Sequence, residues 1–189
     1  MTDARRPLDK LQVGIGALVV ALVVVAGAQD LGIGLQNWDS YTPVTRGDPV
    51  PEFSTKLDDG TAFGPAQLEG QVSLLTFWAT WCGACKLEMP TVAAIDRGYA
   101  GESEFVVYGV NRDSGPMNER RQLVQAFLAD RDLEFAQIYD DGQLARAFGV
   151  EQIPYMVLVD KQGRARHMHL GQVSERTLRA EIDALLDED

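Results

Sequence analysis

Two cysteines separated by two residues lie where a predicted strand meets a predicted helix. Residues 71–77 (QVSLLTF) form a short apolar run typical of a buried central strand, and apolar side chains recur at helical spacing from residue 82 to about residue 99. Cys82 and Cys85 therefore fall on the first turn of that helix, where their sulfur atoms come close together. A disulfide between them closes a ring so short that it removes little conformational entropy from the unfolded chain. Such a bond adds little stability and is free to open and close.

The two cysteine positions differ in their expected chemistry. The free N–H groups and the dipole at a helix N-terminus favour a thiolate over a thiol. Cys82 is therefore predicted to be the attacking nucleophile, and Cys85, one turn into the helix, is predicted to resolve the mixed disulfide. Two other interpretations are half of a zinc site, for which the chain has no second ligand pair, and an inert structural disulfide.

The composition narrows the class of protein. The chain has 189 residues, of which 46% are hydrophobic and 24% charged, so it suits one globular domain plus an appendage. Its net charge of −11 repels phosphate backbones, and nucleic-acid binding is therefore not expected. Two cysteines and two histidines are too few for a disulfide scaffold, a four-thiolate zinc site or a histidine-rich metal centre, and no bound metal is predicted.

The N-terminal segment, residues 1–28, has the pattern of a membrane anchor or a signal peptide. Basic residues, among them Arg5 and Lys10, precede residues 11–28, whose side chains are almost all apolar. As a helix this stretch spans about 27 Å, close to the roughly 30 Å of a membrane hydrocarbon core. The basic flank predicts a single-pass anchor in the inner membrane, with the rest of the chain facing the periplasm. The alternative is cleavage after Ala28 and release into the periplasm.

The rest of the chain is divided into a linker and a folded domain. Residues 29–50 mix glycines, polar residues and prolines without a sustained period, which is typical of a linker, and residues 51–189 are the predicted domain. Strands and helices that alternate and then end in a hairpin and a helix are typical of an α/β sandwich. The predicted elements are a hairpin at 53–63, a strand at 71–77, a helix at 82–99, a strand at 105–110, a helix at 118–130, a strand at 135–139, a short helix at 143–148 closed by Gly149, a hairpin at 155–170 and a helix capped by Ser174.

The segment around the cysteine pair resembles a known family. Residues 77–85 (FWATWCGAC) are similar to the active-site segment of thioredoxin-like proteins, and FWATWC followed by Glu88 and Pro90 most resembles the membrane-anchored TlpA/ResA type. The likeness covers about residues 50–188 and implies an α/β thioredoxin fold. In this fold a mixed central sheet carries helices on both faces, with an N-terminal hairpin and a central helix–strand insertion. Further motifs that carry the likeness are residues 65–70 (PAQLEG) and 149–154 (GVEQIP).

The resemblance also implies a substrate-binding surface. It places a cis peptide bond at Ile153-Pro154, facing the dithiol, where exposed backbone groups can pair with an extended segment of a partner. Trp81, Gly83 and Ala84 are expected to complete this surface. The alternatives are an ordinary trans proline at the start of a strand and, for Trp81, core packing alone.

Glu88 is the third predicted catalytic residue. Thioredoxins carry a buried aspartate six residues before the first cysteine, but this chain has Thr76 there, so an acid that assists Cys85 must come from elsewhere. ResA-like proteins place an active-site glutamate at the position of Glu88. A carboxylate close to the thiols can exchange protons with Cys85, and burial would raise its pKa. The alternative is a solvated helix glutamate beside Lys86.

The expected activity is thiol:disulfide exchange in exported proteins. The Gly83-Ala84 dipeptide places no positive charge between the cysteines, which favours a reductant, with apocytochrome c among the plausible substrates. The resemblance implies a membrane thiol–electron carrier of the DsbD or CcdA type as partner, and no cofactor beyond the redox-active disulfide. The alternatives are an oxidase or isomerase with the same site, or a Sco-like copper chaperone. His167 and His169 could suggest the chaperone, although they are expected to face solvent on an edge strand and Sco-like proteins space their cysteines as CxxxC.

Overall fold

The computed structural model describes residues 44–188. The predicted anchor or signal peptide, residues 1–28, and most of the predicted linker lie outside the described residues, so both stay predictions. Within the described range, none of the helices is long and apolar enough to cross a membrane.

A five-stranded mixed sheet forms the centre of the domain, and the predicted hairpin lies beside it. In the hairpin, β1 (Thr55–Lys56) runs antiparallel to β2 (Ala62–Phe63). The order across the central sheet is β5–β4–β3–β6–β7, in which β3, β4 and β5 are parallel and β6 runs antiparallel to both of its neighbours. Its strands are β3 (Val72–Trp78), β4 (Phe105–Asn111), β5 (Ala136–Tyr139), β6 (Tyr155–Val159) and β7 (Ala165–Leu170).

Helices cover both faces of this sheet, as the resemblance implied. Side chains of β3 alternate between two core clusters because successive residues of a strand point to opposite faces. Leu74 and Trp78 pack on the face that carries α1, α2 and α4, whereas Leu75 and Phe77 pack on the face that carries α3 and the hairpin. The helices are α1 (Gly83–Gly98), α2 (Met117–Ala129), α3 (Gln143–Ala147) and α4 (Glu175–Leu186), and α2 with β5 forms the predicted insertion.

Two helix ends follow the sequence signals closely. The Ser174 side chain accepts a hydrogen bond from the backbone N–H of Thr177 and so caps α4, as predicted. Gly149 has a φ of 64°, in the left-handed region that favours glycine, just after α3. Both features depend on residues only a few positions apart, which explains why the sequence revealed them.

Residues 44–50 belong to the predicted linker, yet they are hydrogen-bonded to the domain. The N–H of Gly47 donates to the carbonyl oxygen of Ala165 (2.6 Å), and the N–H of Val50 donates to that of Gly163 (2.8 Å). The Val50 side chain is buried in the core cluster on the α3 face. These contacts attach the segment to the β6–β7 turn.

The acidic C-terminus is also attached to the domain. Its sequence is typical of a solvated tail, but the carboxylate of Glu188 pairs with both terminal nitrogens of Arg166 on β7. The second of these contacts measures 2.8 Å. The same guanidinium contacts the buried carboxylate of Asp160 at 3.0 Å, so one arginine connects β7 to the turn before it and to the end of α4.

Candidate active site

The cysteine pair occupies the N-terminus of α1, directly after β3. Cys82 has an extended backbone (φ −79°, ψ 111°) and is the N-cap of the helix, and its sulfur accepts a hydrogen bond from the Cys85 N–H at 3.1 Å. The two residues form a disulfide with an S–S distance of 2.09 Å and Cα atoms 5.2 Å apart. The predicted arrangement on one helical turn is therefore confirmed.

The two sulfur-bearing residues differ in exposure. Cys82 retains 7% of its surface accessible to solvent, whereas Cys85 is completely buried in the cluster between α1 and the sheet. Trp81 is 66% exposed, which is incompatible with core packing alone, and Gly83 and Ala84 are exposed as well. Cys82 is therefore the accessible cysteine of the pair, and exposed residues flank it on both sides in the chain.

A second segment reaches the dithiol from the start of β6. The Ile153-Pro154 peptide bond is cis, as the resemblance implied. The Ile153 carbonyl oxygen lies 3.8 Å from the Cys82 sulfur. Because β6 runs antiparallel to β3 and pairs Tyr155 with Phe77, the loop before β6 meets the loop after β3 at one edge of the sheet. The structure therefore brings together the residues that the sequence predicted around Cys82.

Glu88 is buried, so its interpretation as a solvated helix residue is wrong. Only 1% of its surface is exposed, and both carboxylate oxygens accept a hydrogen bond from the Val173 N–H, at 3.2 and 3.3 Å. Burial raises the pKa of this carboxyl group, while the Val173 hydrogen bond and the charge of nearby His169 act in the opposite direction. Glu88 lies one turn after Cys85 on α1.

His167 and His169 do not face solvent freely, and this expectation is corrected. Each imidazole contacts one oxygen of Glu181 on α4: His169 Nε2 lies 2.8 Å from Oε2, and His167 Nδ1 lies 3.3 Å from Oε1. Both side chains are only about a fifth exposed, at 20% and 23%. Within residues 44–188, no group of three or more His, Cys, Asp or Glu side chains is arranged to hold a metal ion.

A buried carboxylate that the sequence analysis missed holds the loop before Cys82. Asp113 accepts hydrogen bonds from the Thr80 N–H (3.1 Å), the Thr80 hydroxyl (2.8 Å) and the Asn111 side-chain amide (2.6 Å). Thr80 follows β3, Asn111 is the last residue of β4 and Asp113 follows it; the carboxyl ends of these two strands meet at one edge of the sheet because the strands are parallel. The polar residues directly after a buried strand were the signal that could have revealed this network.

Known proteins with similar sequences carry out the chemistry that this site geometry allows. Residues 45–186 match the family described as Redoxin. The chain belongs to the Redoxin family. Among its relatives, the thiol:disulfide interchange protein DsbE of Yersinia pestis is 33% identical over 140 residues, which cover 72% of this chain and 70% of that protein. The thiol-disulfide oxidoreductase ResA of Geobacillus thermodenitrificans is 24% identical over 167 residues, which cover 88% of this chain and 92% of that protein.

A solved structure is also similar to this chain. A secreted thiol-disulfide isomerase from Corynebacterium glutamicum superposes with a TM-score of 0.63 at 28% identity, covering 74% of this chain and 86% of that one. This Redoxin family member is therefore a thiol-disulfide oxidoreductase of the ResA and DsbE type, with a thioredoxin-like fold and a CxxC disulfide.

Proposed function

We propose that this Redoxin family member reduces disulfides in exported proteins, with apocytochrome c among its substrates. The observation that carries the proposal is the environment of the sulfur atoms. Within residues 44–188, no lysine, arginine or histidine side chain donates a hydrogen bond to the sulfur atom of Cys82 or Cys85. A disulfide couple becomes a strong oxidant when its reduced, thiolate form is stabilised. Without a cationic partner for that thiolate, the couple favours donating electrons.

The proposed reaction follows from the exposure of the two cysteines. In the reduced enzyme, the Cys82 thiolate attacks one sulfur of the substrate disulfide, forms a mixed disulfide and releases one substrate thiolate. Cys85 loses its proton, and its thiolate attacks the Cys82 sulfur and releases the second substrate thiolate. The substrate gains two electrons, and the enzyme ends with the Cys82–Cys85 disulfide seen in the structure.

Glu88 is the proposed acceptor of the Cys85 proton. It is buried one helical turn beyond Cys85, and the i to i+3 spacing places both residues on one side of α1. Its raised pKa brings the carboxyl group closer to the range of thiols and so suits it to exchanging a proton near neutral pH. Thr76, at the position of the thioredoxin aspartate, is buried but carries no acid.

The substrate-binding surface is proposed to comprise Trp81, Gly83, Ala84, Ile153 and Pro154. An extended segment of the substrate would pair with backbone groups beside the Ile153 carbonyl, next to the Cys82 sulfur. The exposed indole of Trp81 would cover the substrate cysteine.

The reduction potential of the Cys82–Cys85 couple tests the direction of electron flow. We expect equilibration with glutathione redox buffers to give a potential more reducing than that of glutathione. The measurement must be accurate, because 30 mV corresponds to about 1.4 kcal/mol. A potential as oxidising as that of a dedicated disulfide oxidase would overturn the proposal in favour of an oxidase or isomerase.

The proposed location is the periplasmic side of the inner membrane, with residues 11–28 as the anchor and a DsbD- or CcdA-like carrier as the source of electrons. The apolar run and its basic flank support this location. The full-length protein should fractionate with membranes and resist alkaline extraction. A mature N-terminus at Gln29 in the soluble fraction would favour cleavage after Ala28 instead.

A further inference from the structure

Arg112 directly follows β4 and contacts both chain segments that form the candidate site. We call residues 79–82 the cysteine loop and residues 149–154, which end in the cis peptide bond, the proline loop. The backbone N–H of Arg112 donates a hydrogen bond to the carbonyl oxygen of Trp78, just before the cysteine loop, at 2.8 Å. Its side chain donates through Nη1 to the carbonyl oxygen of Val150, in the proline loop, at 3.0 Å. One residue therefore connects the two halves of the proposed substrate-binding surface.

The cysteine loop has further contacts that do not involve the Arg112 side chain. Asp113 accepts hydrogen bonds from the N–H and the hydroxyl of Thr80, at 3.1 and 2.8 Å. The Cys82 N–H donates to the carbonyl oxygen of Ala79 at 3.2 Å. Removal of the Arg112 guanidinium leaves these contacts and the Trp78 hydrogen bond in place, so we expect the Cys82 sulfur to keep its position.

The proline loop depends on the Arg112 side chain more directly. The Val150 N–H donates to the carbonyl oxygen of Ala145 in α3 at 2.7 Å, and the Pro154 carbonyl oxygen accepts a hydrogen bond from the Gly171 N–H at 2.9 Å. These bonds join the two ends of the loop to α3 and to the end of β7. The Arg112 guanidinium instead joins it to the end of β4, to which the cysteine loop is also bound.

We infer that Arg112 is a positioning residue, whose side chain sets the proline loop at the distance from Cys82 that an extended substrate segment requires. The inference rests on the substrate-binding surface proposed above. A segment that pairs with backbone groups beside Ile153 must also place its own sulfur against the Cys82 sulfur, which lies 3.8 Å from the Ile153 carbonyl oxygen. A displaced loop weakens the binding of such a segment, because both contacts must form at once. A small disulfide that meets only Cys82 does not depend on the loop.

Mixed-disulfide formation tests the inference in the detergent-solubilised full-length protein with Cys85→Ser, in which the product cannot be resolved. The probes are an uncharged peptide whose single cysteine carries a 2-thiopyridyl group, and 2,2′-dithiodipyridine. With either probe the Cys82 thiolate forms a new S–S bond and releases pyridine-2-thione, whose absorbance gives the rate. Arg112→Met should raise the peptide concentration that gives the half-maximal rate by roughly fivefold, as expected for one lost hydrogen bond. The maximal rate and the reaction with dithiodipyridine should not change.

Two further variants separate the hydrogen bond from other effects. Arg112→Lys should restore most of the peptide binding, because an ammonium N–H can replace the single bond from Nη1 to Val150. Arg176→Met, at an exposed position on α4, is the matched control and should behave like the protein with Arg176. The uncharged peptide excludes direct attraction between the substrate and the guanidinium. If Arg112→Met does not fold, as judged by urea unfolding, Arg112→Gln serves the same purpose.

The outcomes distinguish this inference from the proposed function. An unchanged half-maximal concentration in Arg112→Met overturns the inference, as does an equal loss of rate with both probes, which would show an effect on Cys82 itself. A rate that does not saturate with peptide when Arg112 is present overturns the proposed substrate-binding surface and the inference with it. An oxidising reduction potential would overturn the proposed reductant but not the inference, because attack by the Cys82 thiolate on a disulfide can be measured whatever the potential.

Discussion

At the scale of single residues, the two sulfur atoms of the dithiol differ in access. Cys82 has an exposed edge beside the Ile153 carbonyl, while Cys85 is buried. Because a partner can reach only Cys82, we expect Cys85→Ser to trap mixed disulfides with partner proteins and Cys82→Ser to trap far fewer. Non-reducing gels after acid quenching measure the trapped complexes, with the double serine variant as control. Equal trapping by the two single variants would contradict the assignment of Cys82 as nucleophile.

The buried carboxylate of Glu88 leads to a second prediction at this scale. Glu88→Gln keeps the shape of the side chain but removes its charge, so it should shift the pH profile of Cys85 alkylation and slow turnover near about pH 7. Glu52→Gln, at an exposed position, is the matched control. Alkylation rates measured over a pH series in both variants check this expectation. Curves that superimpose on the wild type would show that Glu88 takes no part in thiol chemistry.

The same burial makes stability depend on pH. Because burial raises the pKa of Glu88, the folded protein holds this proton more tightly than the unfolded chain. From the ordinary glutamate value of about 4.3 up to the raised value, the free energy of unfolding therefore falls as pH rises. We expect wild type to lose stability relative to Glu88→Gln across this window. Urea unfolding of the two oxidised proteins at several pH values measures the difference, and a constant difference would be inconsistent with the raised pKa.

At the scale of elements, the loop between β3 and α1 depends on Asp113 beyond the end of β4. Asp113→Ala leaves the buried N–H and hydroxyl of Thr80 without their acceptor, which should cost about 1–3 kcal/mol in the free energy of unfolding. Urea unfolding measures this loss. Asp187→Ala, at an exposed position, is the control and should stay within about 0.5 kcal/mol of the wild type. Equal stability of the two variants would mean that the network adds nothing to the loop.

At the scale of the whole molecule, the folded domain includes residues that look like a linker. Three backbone hydrogen bonds join residues 47–50 to residues 163–165, with lengths of 2.6, 2.8 and 3.0 Å. At roughly 1 kcal/mol for each bond, a chain of residues 51–189 should be less stable than a chain of residues 44–189 by roughly 3 kcal/mol. Thermal and urea unfolding of the two chains compare them. Identical stability would support the predicted domain boundary at residue 51.

The amino-acid sequence by itself determined the features that depend on residues close together in the chain. Apolar periodicity predicted the order of strands and helices, because a strand or helix is built from hydrogen bonds and side-chain faces with a short repeat. The Cys82–Cys85 disulfide, the Ser174 cap and the left-handed Gly149 all involve residues within a few positions of one another. The cis bond at Ile153-Pro154 came from the family resemblance rather than from spacing.

Tertiary structure alone decided the environment of the candidate site. Glu88 and Val173 are 85 positions apart, and they meet only because α4, which follows Val173, packs against α1. Thr80 and Asp113 are 33 positions apart and meet because β3 and β4 are parallel neighbours. A side chain's burial, and with it the direction of its pKa shift, depends on which distant elements cover it. The spacing of apolar residues in the sequence does not indicate which distant elements pack together. The sequence pattern around an acidic helix residue is therefore the same whether that residue is solvated or buried.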